Sequence, residues 1–190
     1  MRHNEKVVSI KLYVLRRAAE NGFAEWRKLF RTFNKLDENT RWSDLPDWLL
    51  LFLCEESRES QLTMYELLMG SLGLGKGDEF ESLTGDSITN LLNIYFFLTD
   101  QIRFECMRRL EWIEKVPLAE KSIIETIMDL KSGKYPYCID PPAPGETHPC
   151  YKEDHESSGV DRASLVRQYI PDAINAFRKK TQREKRLKDT

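Results

Sequence analysis

The stretch DSITNLLNIYFFLTDQIRFECMRRLEW, residues 86–112, decides the fold. Its first half, Leu91–Leu98, is almost wholly apolar, broken only by Asn93. Its second half alternates Ile102, Phe104, Cys106, Met107 and Leu110 with Arg103, Arg108 and Arg109. This pattern predicts one long helix over about 87–115, with Asp86 as its cap. A helix that is apolar on all faces belongs at the centre of a bundle, so at least one of Phe96 and Phe97 is expected to be deeply buried.

The segments on either side are shorter and amphipathic. Val8, Leu12, Leu15 and Ala19 repeat at three and four residues, as do Trp26, Leu29, Phe30 and Phe33; Asn21-Gly22 between them reads as a stop or kink. Asp44-Leu45-Pro46 opens a third helix, because proline fits a first turn where its missing N–H is no loss. The apolar run Trp48–Cys54 follows, and a fourth helix carries Leu62, Tyr65, Leu68, Met69 and Leu72. Beyond the long helix, Pro117 opens another, which buries Ile123, Ile124, Ile127 and Leu130 and stops at Ser132-Gly133. A last helix starts near Asp161, and Pro171 should kink or split it. The expectation is all-α: a single-domain helical bundle of six or seven helices over residues 1–177, followed by a basic, flexible tail over 178–190.

Composition bounds the function loosely. The chain has 190 residues, of which 32% are charged, with a formal net charge of -2, so bulk charge selects no partner. The charge is uneven, however: the tail holds seven basic and two acidic residues on an otherwise acidic body. No run approaches the ~20 apolar residues of a membrane span, and the N-terminus carries no signal-peptide pattern. Four sparse cysteines fit a reducing compartment. Cytoplasmic location and no contact with membrane are the expectations.

Two stretches carry possible chemistry. MGSLGLGKGDEF, residues 69–80, imitates a phosphate-binding loop, but Gly77 stands where a Ser or Thr should hold magnesium. The preceding segment has helical spacing, and Asp78 and Glu79 would repel phosphate. The simpler reading is that Gly70 and Gly73 relax a helix end, Gly75 and Gly77 form a turn, and the acidic pair favours a short helix start.

The second stretch is Lys134–Ser158, with five of the eight prolines between Pro136 and Pro149. A segment this long and this poor in donors must be functional, disordered or pinned. It brings together Cys138, His148, Cys150 and His155, residue types that hold structural zinc in sets of four. The spacing is not that of a standard zinc knuckle. Ordinary loop side chains and a Cys138–Cys150 disulfide are the other readings. Packing of Tyr135, Tyr137 and Tyr151 onto the helices is the preferred way to order the loop, and no cofactor other than zinc is suggested. With no convincing catalytic set, the leading expectation is a non-catalytic interaction or adaptor protein that binds a protein partner or itself. Nucleic-acid binding through the basic tail is the rival, and a zinc-binding protein or an enzyme built near residues 138–155 is the third reading.

Overall fold

The computed structural model describes residues 3–31, 33, 35–134, 136, 141–152 and 162–188. Among them the chain is all-helical, with eight α-helices: α1 (His3–Gly22), α2 (Ala24–Leu29), α3 (Asp47–Leu53), α4 (Arg58–Leu72), α5 (Gly85–Arg109), α6 (Ile123–Lys131), α7 (Arg162–Gln168) and α8 (Ile170–Lys188). Four 3-10 turns join them, and a single antiparallel bridge pairs Ile113 with Pro144. The α7/α8 break falls at Tyr169, two residues before Pro171, as proline's missing donor requires.

Helix α5 packs against α3, α4, α6 and α8. Leu91, Ile94, Phe97, Leu98, Ile102 and Cys106 enter the main core. Phe104 and Met107 join Ile113, Val166 and Ala173 in a smaller cluster. The apolar half is not covered all round, since Phe97 is buried while its neighbour Phe96 is 63% exposed. The start of α5 also differs from expectation. Thr84 occupies the cap position without a side-chain bond, and Asp86 lies in the first turn, where its charge meets the positive end of the helix dipole.

Helices α1 and α4 cross at two glycines. A Cβ on Gly70 would stand 2.6 Å from the Asn21 carbonyl oxygen and 3.0 Å from the Gly22 Cα, so the two backbones touch. Gly70 therefore does not loosen the helix end; it permits the crossing. Just beyond it Trp26 is fully buried and donates from Nε1 to the Thr63 carbonyl at 2.7 Å, so its one polar group is satisfied.

Three helices end alike. In α4, Gly73 has φ +70°, its N–H bonds the Gly70 carbonyl, and the Leu74 N–H bonds the Met69 carbonyl. Gly133 closes α6 in the same way. At the end of α5 the left-handed position falls on Glu111, φ 61°, with the Trp112 N–H on the Met107 carbonyl. Arg109 ties this end to the 40s segment. It pairs with Asp47 and Glu105 and donates to the carbonyls of Trp42, Ser43 and Leu45. Lys180 of α8 covers the Arg109 carbonyl at 2.7 Å, so the basic stretch expected to fray is helical as far as Lys188.

Candidate functional site

The proline-rich loop is pinned by backbone pairing along 111–114. Glu114 donates to the Ala143 carbonyl at 3.1 Å and Gly145 donates to the Trp112 carbonyl at 2.7 Å. The Thr147 hydroxyl donates to the Glu111 carbonyl. Tyr151, an expected packing anchor, is 53% exposed and does not serve as one. Tyr135 and Tyr137 lie outside the described residues. Backbone bonds to the turn after α5 were not foreseen, because nothing in residues 111–114 marks them as a short strand.

Of the four proposed zinc ligands, Cys138 and His155 also lie outside the described residues. His148 and Cys150 are buried together on the 3-10 turn Pro149–Lys152 and just before it. The Cys150 N–H donates to His148 Nδ1 at 3.1 Å, and Cys150 Sγ lies 2.7 Å from the same nitrogen. Nδ1 is thus an acceptor, and the ring proton sits on Nε2. That Nε2 is buried without a hydrogen-bond partner. Trp112 and Tyr169 hold the ring edge-on, with centroids 5.5 and 5.1 Å away. Burial pushes the imidazole below its ordinary pKa, which favours the neutral ring beside Cys150. Among the described residues no three His, Cys, Asp or Glu side chains gather as a metal site.

The glycine stretch follows a helix and is closed by its own carboxylate. Glu79 accepts from the Lys76 N–H at 3.0 Å and lies over Gly75, where a Cβ would collide with it. Residues 77–82 form a 3-10 turn pressed on α4, with Phe80 stacked on Tyr65 at 4.1 Å. The amide that a phosphate would use is already engaged.

An exposed apolar stripe lies on α1. Ile10 and Tyr13 are each 63% exposed, and Val14 is exposed beside them. Of the face expected to be buried, Leu12 is 37% exposed, Leu15 packs partly buried against the main core and Ala19 is fully buried; Ile10, Tyr13 and Val14 lie on a different stripe of the helix. Next to it lies a cleft of about 320 Å³ between α1 and the end of α4, lined by Tyr13, Arg17, Ser71 and Met128. Two cations of α1 are paired, Lys11 with Glu125 at 3.0 Å and Arg16 with Glu38 at 2.8 Å. Periodicity picked out the stripe that turns toward the core; Ile10, Tyr13 and Val14 form a second apolar stripe that it did not single out.

Among the described residues no helix is long and apolar enough to cross a membrane. No protein-family model matches the chain, and no curated protein or solved structure matches it.

Proposed function

We propose that this chain is a non-catalytic interaction protein, a helical bundle gathered around α5, which joins a second copy of itself through the first half of α1. The observation that carries the reading is the exposed apolar stripe of Ile10, Tyr13 and Val14, three and four residues apart on one face of α1. Monomeric proteins rarely leave such a patch contiguous and open. A two-fold pairing sets the same patch against itself, so one apolar surface suffices for both sides. The reading needs no cofactor and fits a reducing cytoplasm.

A photo-crosslinking side chain at position 13 tests it. The account expects crosslinks to α1 peptides of another chain, and none from a control label at Phe96, which is equally exposed. Label at position 13 that captures only its own chain overturns the reading.

A zinc site is the second reading, favoured by one observation. The ring proton of His148 on Nε2 leaves Nδ1 and Cys150 Sγ as two adjacent donors, and a metal would enter between them. Cys138 and His155 would complete the set. About one zinc per chain, lost in Cys150→Ser, supports it; zinc content unchanged by Cys150→Ser or absent after zinc addition removes it.

A further inference from the structure

The two cysteines outside the proline loop meet inside the core. Cys54 closes the C-terminus of α3 and Cys106 lies in the second half of α5, and their Sγ atoms are 3.9 Å apart. They are not equivalent. Cys106 is fully enclosed, whereas Cys54 lines a cleft of about 420 Å³ whose walls include Glu56, Arg103, Arg167, Ile170 and Ile174. Arg103 uses its terminal nitrogens on Asp100 and Glu56, and its Nε–H is buried with no partner. The cleft therefore has a buried thiol and a positive charge in its wall, with a second thiol behind the first.

We infer that Cys54 and Cys106 are a thiol–disulfide pair, in which Cys54 meets a small hydroperoxide in the cleft and Cys106 closes the disulfide. In the first step the Cys54 thiolate attacks the nearer peroxide oxygen and the O–O bond breaks. Cys54 becomes a sulfenic acid, and the departing alkoxide or hydroxide takes a proton to leave as alcohol or water. In the second step the Cys106 sulfur attacks the Cys54 sulfur. The S–O bond breaks, the Cys106 proton leaves with the hydroxyl as water, and the S–S bond forms. Two thiols lose two electrons and the hydroperoxide gains them. The sulfurs must close from 3.9 Å to ~2.0 Å as the disulfide forms.

The electrostatics divide the roles in the same direction. The hydrogen bond from the Cys106 thiol holds Cys54 below the ordinary thiol range against the opposing effect of burial, and Arg103 adds to it. Donating that bond, together with burial, pushes Cys106 far up. Position agrees with this division, since Cys54 lines the cleft and Cys106 lies behind it, fully enclosed.

Hydrogen peroxide added to the reduced full-length chain tests this, read by non-reducing peptide mapping. The expected main product is a Cys54–Cys106 linked peptide that has lost two hydrogens and returns to thiols with dithiothreitol. In Cys106→Ser, dimedone should trap a sulfenic acid on Cys54; in Cys54→Ser, Cys106 should stay reduced. Should either variant not fold, dimedone added to the wild type during the reaction decides, with label expected on Cys54. Label on Cys106 first, oxidation of Cys106 in Cys54→Ser at the wild-type rate, or peroxide consumed only by Cys138 and Cys150 would each overturn the assignment.

Discussion

Gly70 and Gly22 bring α4 and α1 into backbone contact: a Cβ added at Gly70 would lie 3.0 Å from the Gly22 Cα. Helix propensity and packing then make opposite predictions. Alanine in a helix interior is favoured over glycine by ~1 kcal/mol. Crowding against unyielding backbone costs ~1–3 kcal/mol. Because the neighbouring atoms are main chain and cannot swing aside, packing should win. Urea unfolding of Gly70→Ala is expected to show a net loss, and an unchanged or raised midpoint would mean that the two helices do not touch here.

Phe96 and Phe97 are sequence neighbours with opposite surroundings, one 63% and the other 3% exposed. Phe97→Ala should cost ~3–5 kcal/mol by emptying core volume. Phe96→Ala should stay within ~0.5 kcal/mol, as surface changes usually do. Equal losses from both would show that α5 is rotated from the orientation described.

Glu111 occupies a left-handed position that glycine fills in the two sister motifs at Gly73 and Gly133. A Cβ there is strained by about 1 kcal/mol. Glu111→Gly should recover part of that and raise the thermal midpoint, since the Glu111 side chain is exposed. A fall in midpoint would mean that the residue's side chain, not its backbone, matters at the end of α5.

The predictable and unpredictable parts of this molecule separate by range. Helix α4 begins where a serine can cap it, with Ser57 accepting from the Ser60 N–H, and its end was legible in Gly73. Those are local signals. The cap expected at Asp86 falls on Thr84, because the chain enters α5 two residues earlier, at Gly85. The zinc quartet was legible only as composition: the Cys150–His148 contact is local and appears, whereas its other members depend on how a long loop returns. Cys54 and Cys106 are 52 residues apart. Each reads singly as a buried apolar side chain, and only the packing of α3 on α5 makes them a pair.

His148 is neutral, and burial depresses its pKa below the ~6.5 of an unfolded imidazole. As pH falls through that value the unfolded chain binds a proton that the folded chain does not, so folding stability declines. At higher pH neither state is protonated and this contribution is flat. Thermal scans between about pH 7 and about pH 5 should show the wild type losing stability faster than His148→Gln. Parallel profiles would place the imidazole in contact with water.

The central claim is that the exposed half of α1 is an interface between two copies of the chain. Sedimentation velocity across a dilution series measures it directly, comparing the wild type with Ile10→Glu/Tyr13→Glu. Both substitutions fall on exposed positions, so helicity should be unchanged. The account predicts a concentration-dependent dimer for the wild type and a monomer throughout for the double variant. A wild type that stays monomeric at every concentration, or a variant that dimerises equally well, would contradict it.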